Sequence, residues 1–137
     1  MELHVTLTDR FKNSLSIYKK EYKSIISDIQ EGFKDKSFDI AFEHNYRVSD
    51  SGIARLIKLR LKNKSANKGK SGGFRLIYYI NKSTQELVFL DIFSKIGKNG
   101  KEDLPDKEYL EMLREYQLNK DISEKITIES LQKNHSS

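Results

Sequence analysis

Ile57-Lys58-Leu59-Arg60-Leu61-Lys62 and Phe74-Arg75-Leu76-Ile77-Tyr78-Tyr79-Ile80 are the stretches whose reading decides the fold. Successive side chains of a β-strand point to opposite faces of a sheet. Ile57, Leu59 and Leu61 therefore share one face, and Lys58, Arg60 and Lys62 share the other. In the second stretch Phe74, Leu76, Tyr78 and Ile80 fall on one face, and Arg75, Ile77 and Tyr79 on the opposite one. The basic, glycine-rich run 64–73 connects the two strands. After a turn at Asn81-Lys82-Ser83-Thr84, Leu87 to Phe93 is apolar at nearly every position. A strand covered on both faces has that composition.

Upstream, Leu3, Val5 and Leu7 alternate with polar neighbours and read as a short strand. Thr8 or Asp9 can cap a helix starting at that point. Phe11, Leu15, Tyr18, Tyr22, Ile25, Ile29 and Phe33 recur at helical steps of three or four. They form one long helical face, or two helices with a break near Lys19-Lys20-Glu21. Phe38, Ile40 and Phe42 alternate, as do Tyr46 and Val48, so a strand is admissible there. Asp50-Ser51-Gly52 reads as a turn. Downstream, Pro105 suits the first turn of a helix, and Asp103, Asp106 and Glu108 suit its positive end. Tyr109, Leu110, Leu113 and Tyr116 supply its apolar stripe.

These signals predict a single α+β domain over residues 1–118. An N-terminal strand and a helix or helix pair would pack with a three- to four-stranded antiparallel sheet and a C-terminal helix. Residues 119–137 read as a polar extension with one short alternation at Ile126-Thr127-Ile128. Its end, Gln132 to Ser137, is expected to be disordered.

Of the 137 residues none is cysteine, which excludes disulfides and thiolate chemistry. No run of about 18 apolar residues is present to span a membrane. Met1 to Val5 lacks the basic-then-apolar order of a signal peptide, so a cytoplasmic location is expected. The net charge of +5 is distributed unevenly. Residues 47–101 carry 13 Lys/Arg against 3 Asp/Glu, whereas 1–46 carry 7 against 8 and 102–137 carry 5 against 9. A basic middle of this kind points to a polyanion-binding face, with nucleic acid the first candidate.

Gly69-Lys70-Ser71 does not make a phosphate loop, because position 64 is Lys where that motif needs glycine and a strand comes next instead of a helix. His4, His44 and His135 lack metal-ligand spacing, and His4 and His44 lie outside the basic segment. No metal and no cofactor are expected. What remains is a cationic, tyrosine-bearing surface: Lys58, Arg60, Lys68, Lys70, Arg75 and Lys95 lie on or beside three consecutive strands. Neighbouring strands are about 4.8 Å apart, so these side chains can converge on one phosphodiester. Arginine grips phosphate with a paired donor fork and stabilises charge developing in a transition state. The same residue types bind phosphate whether or not a bond breaks, and spacing does not choose between the two.

Lys58-Leu59-Arg60-Leu61, Gly69-Lys70-Ser71-Gly72-Gly73-Phe74-Arg75-Leu76-Ile77-Tyr78-Tyr79, Phe89-Leu90-Asp91-Ile92-Phe93-Ser94-Lys95 and Glu102-Asp103-Leu104 together resemble the RelE/HigB family of bacterial toxin–antitoxin toxins, most of all its HigB-type branch. The resemblance runs from about Tyr46 to Leu113, is looser over residues 3–33, and leaves out residues 34–45 and the tail after Tyr116.

The resemblance implies a RelE-like domain and a ribosome-dependent messenger-RNA endoribonuclease that inhibits translation. Its partners would be messenger RNA, the decoding site of the ribosome and a neutralising antitoxin protein. In that chemistry the RNA's 2′-hydroxyl attacks the adjacent phosphate, leaving a cyclic phosphate and a 5′-hydroxyl. Carried over, Lys58, Arg60, Arg75 and Lys95 form the catalytic set, with Arg75 on the scissile phosphate and Lys95 as acid, base or second clamp. Lys68, Lys70, Ser71 and Lys98 would contact RNA, and Tyr79 would stack on a base. Where relatives place an acid–base tyrosine in the C-terminal segment, the nearest residue here is Tyr109, on the apolar stripe of its helix. The alternative is an RNA- or ribosome-binding protein of the same fold that does not cleave.

Overall fold

The computed structural model describes residues 3–131. Strand β1 (His4–Leu7) leads into α1 (Asp9–Glu21) and α2 (Ile25–Gly32). Thr8 caps α1, its hydroxyl accepting from the Phe11 amide and donating to the Phe89 carbonyl. The helical face is broken at Tyr22, whose extended backbone ends α1. All seven of its predicted apolar positions are buried nonetheless.

Phe38–Phe42 forms a short helix, α3, where alternation admitted a strand. Ser37 caps it through the Ile40 amide, and Ala41 and Phe42 turn inward. The remaining strands are β2 (Arg47–Asp50), β3 (Ala54–Leu61), β4 (Phe74–Asn81) and β5 (Glu86–Ser94), succeeded by α4 (Asp106–Asn119) and β6 (Glu124–Thr127).

The α+β class holds, but the sheet is larger than expected and is mixed. Six strands run in the order β2-β3-β4-β5-β1-β6. β1 lies parallel to β5 and the other pairings are antiparallel. The polar segment after Asn119 belongs in part to this sheet: β6 pairs with β1, and Ile128 and Leu131 are buried. A short, weakly patterned strand carries little local signal, and its partner lies more than a hundred residues away in sequence. The expectation for Gln132 to Ser137 lies outside the described residues.

Both sheet faces are covered, by different helices. Phe74 meets Tyr22, Tyr78 meets Phe33, and the Tyr78 hydroxyl donates to the Ala41 carbonyl at 2.7 Å, so α1 to α3 lie on that face. On the other face Tyr79 packs against Tyr116 of α4, whose hydroxyl donates to Glu86. β5 runs between the two layers and is buried from Leu87 to Ser94, as its composition predicts. Gly73 is required by close approach: a Cβ there would lie 1.9 Å from the Leu61 carbonyl oxygen. This contact seats the start of β4 against the end of β3.

Candidate functional site

The pairing of β3 with β4 sets Arg60 opposite Arg75 and Lys58 opposite Ile77, so Lys58, Arg60 and Arg75 share one sheet face. Their environments differ. Arg75 is buried at 6% exposure. Its guanidinium donates to the carbonyls of Lys70 at 2.8 Å, Ser71 at 2.9 Å and Phe74 at 3.2 Å. Burial, and then the nearby Arg60 charge, lower its pKa below the usual arginine range. Arg75 therefore holds the 70–74 connection in place.

Lys58 and Lys95 are also engaged, by the acidic stretch before α4. Lys58 Nζ lies 2.9 Å from Asp103 Oδ2, and Tyr109 donates to Asp103 Oδ1 at 2.7 Å. Burial pushes the Asp103 carboxyl up, but hydrogen bonds from Lys58, Tyr109 and the Leu104 amide outweigh it and hold the group at about 2. Burial and the bond to Asp103 together raise Tyr109 above the usual phenol range. Lys95 Nζ donates to the Glu102 carbonyl at 2.6 Å and lies 3.6 Å from the Glu102 carboxylate.

Arg60 opens the other way. β2 pairs with β3 only through Ile57, and the Lys58 amide donates to the Tyr46 carbonyl at 3.0 Å. From Leu59 to Leu61 that edge of β3 has no partner strand among the described residues. A cleft of about 410 Å³ runs along it. Its β3 wall offers Arg60 and Lys62, the loop before β4 offers Lys70, and the opposite wall offers Lys34, Lys36, His44 and Tyr46. Among the described residues Arg60, Lys34, Lys36 and Lys70 form no ion pair. Asp28 and Glu31 also line the cleft, but they are engaged with Lys62 and Lys64.

Burial first, and then the neighbouring cations, perturb two of the cleft's members. Lys36 is pushed down by burial and then by Lys70. His44 is held below the usual imidazole range by burial, then by Lys36, Lys70 and Arg47. Its Nδ1 accepts from the Tyr46 amide at 3.2 Å.

The other sequence-predicted residues lie around this centre. Lys68 is exposed on the loop closed by the Asn63–Lys68 bridge, and Ser71 meets Arg75 through its carbonyl. Tyr79 packs under α4, its hydroxyl accepting from the Asn81 side chain at 3.0 Å. It lies four positions beyond Arg75 along β4, which is about 13 Å. Lys98 lines a separate hollow with Ile17, Lys20 and Glu21. Sequence reasoning missed Lys34, Lys36, His44 and Tyr46 as site residues, because 34–45 carry no motif and lie outside the basic segment. The one available signal was the pair of cations, Lys34 and Lys36, that precedes a histidine and an aromatic.

No family model, curated protein or solved structure matches the chain.

Proposed function

We propose that this chain is a ribosome-dependent endoribonuclease of the RelE/HigB toxin type, inhibiting translation by cutting messenger RNA and held in check by an antitoxin protein. The observation that carries the reading is Arg60. It stands where a cationic cleft meets the sheet face that bears Lys58, with Arg75 as its cross-strand neighbour.

In this reading the RNA's 2′-hydroxyl loses its proton and attacks the adjacent phosphorus. The O2′–P bond forms, the P–O5′ bond breaks, and the departing 5′-oxygen takes a proton. Arg60 stabilises the charge that builds on the phosphoryl oxygens, worth about 10²- to 10³-fold for a well-placed donor. Lys58 and Lys95 bring ammonium groups beside the same phosphate, oriented by Asp103 and Glu102. Arg75 acts through the 70–74 connection, which it fixes so that Lys70 faces the cleft. Ribosomal positioning of the RNA supplies the alignment that a shallow protein site lacks. A cytoplasmic location accords with this reading, and no helix among the described residues is long and apolar enough to cross a membrane.

A second reading, an RNA- or ribosome-binding protein that does not cleave, is favoured by one observation. Lys58, Lys95 and Arg75 are each already engaged by protein groups. Primer extension on a defined messenger RNA, with and without ribosomes, separates the two. Discrete ribosome-dependent cuts inside codons support the nuclease. Binding without cuts moves the assignment to the non-cleaving protein.

A further inference from the structure

Within the cleft, Tyr46 differs from the molecule's other tyrosines in its setting. It is 48% exposed, yet its backbone is fixed on both sides, by the Lys58 amide on its carbonyl and by His44 Nδ1 on its own amide. Its ring is held as well. Arg60 Cζ lies 4.6 Å from the ring centroid, and the His44 ring lies 5.7 Å from it at a tilt of 38°. An exposed aromatic that is already oriented loses little entropy when another flat group stacks on it. Of the cations that line the cleft with it, Arg60, Lys34, Lys36 and Lys70 have no carboxylate partner among the described residues, whereas Lys62 is paired with Glu31.

We infer that Tyr46, with Arg60, Lys36 and Lys70, forms a nucleotide subsite for single-stranded RNA. One base stacks on the Tyr46 ring, and the flanking phosphates lie between Lys36 and Lys70 across the cleft. This rests on the reading of the chain as an RNA-acting protein and adds to Arg60, which carries the proposed chemistry, a binding element made by Lys36 and Tyr46 from the segment before β2 and by Lys70 from the loop before β4. An acidic polypeptide would use the cations but would have no use for the exposed ring. A duplex would present few free base faces to it.

The test is binding of a fluorescein-labelled single-stranded octamer made of 2′-O-methyl RNA, read by anisotropy on the full chain over a range of salt. The 2′-O-methyl groups prevent cleavage, so binding is read alone. Tyr46→Leu is expected to weaken binding about 10-fold with the salt slope unchanged. Tyr46→Phe keeps the ring and is expected to stay within about twofold of the wild type. Lys36→Gln and Lys70→Gln should each lower the log–log salt slope by about 0.7, as loss of one single-strand phosphate contact does. Wild-type affinity in Tyr46→Leu overturns the subsite, as does wild-type protein that fails to bind the octamer. Tighter binding of poly-glutamate than of the octamer overturns it too. Ribosome-dependent cleavage by a chain that does not bind the octamer removes the subsite and spares the nuclease reading. Tyr46-dependent binding in a chain that never cuts does the reverse.

Discussion

Arg60 and Arg75 are cross-strand partners of the same chemical type, and the fold uses them in opposite ways. Arg75 lies in the closed part of the basic surface, its guanidinium spread over three backbone carbonyls. Arg60 borders the open cleft, with an aromatic ring against it and no carboxylate partner among the described residues. The two regions teach that a positive patch is not uniformly a binding site. Where cations are met by carbonyls and by Asp103 or Glu102, they organise loops. Where they line a cleft together, as Lys36 and Lys70 do, their charges repel, and in our proposal the phosphates of RNA relieve that repulsion.

The sharpest way to break this division is to remove each arginine. Arg60→Ala is expected to reduce ribosome-dependent cleavage about 10²- to 10³-fold while thermal melting stays close to the wild type. A variant that melted early and cut normally would invert the assignment. Arg75→Ala should instead destabilise the fold by about 3 kcal/mol, measured by denaturant unfolding, because three carbonyls lose a charged donor. Arg75→Lys should recover only part of that, since an ammonium lacks the planar fork that reaches the Lys70 and Ser71 carbonyls together.

Asp103 sharpens the picture of the closed region. Its carboxyl is held at about 2 in the folded chain, below its ordinary 3.8. A group depressed in this way stabilises the fold above its unfolded value, and that contribution is lost as pH falls from about 4 to about 2. Acid unfolding of Asp103→Asn should therefore show a flatter dependence across that window than the wild type. At neutral pH the substitution should cost under about 1 kcal/mol, because more than half of the carboxylate side chain is exposed and water screens the pair. An effect of similar size on stability belongs to Tyr116→Phe, at the α4 end of the same sheet face. Losing the hydrogen bond to Glu86 should lower stability by about 1 kcal/mol and leave RNA affinity unchanged, as calorimetry and anisotropy would report.

Much of this is written in local pattern. Alternation placed Lys58 and Arg60 on one face of β3 and Arg75, Ile77 and Tyr79 on one face of β4, and the register then brings those two faces together. Helical spacing placed Phe11 through Phe33 in the core and admitted either one helix or two with a break near Lys19-Lys20-Glu21; the structure has two, with the break just after Glu21, at Tyr22. Tyr79 shows where such pattern stops. It shares a face with Arg75, but α4 lies over that end of the strand and packs Tyr116 against it. The base-stacking role expected of Tyr79 passes in our proposal to Tyr46.

The sequence by itself determined the faces of the strands, the inward stripes of α1 and α2, and the concentration of charge in residues 47–101; of the stripe expected for α4, Tyr109 and Tyr116 turn inward, but Leu110 is exposed and Met112 is buried instead. Each of these repeats over a few residues, and the period of the backbone is enough to read it. Tertiary structure alone decided that the pairing of β2 with β3 stops at Arg47 and Ile57 and leaves an edge of β3 open. It also decided that residues 34–46 return to wall that edge, that Arg75 is buried, and that β6 joins β1. Those outcomes depend on which distant segments come to rest side by side, and burial and pairing between remote residues leave no periodic trace in the chain.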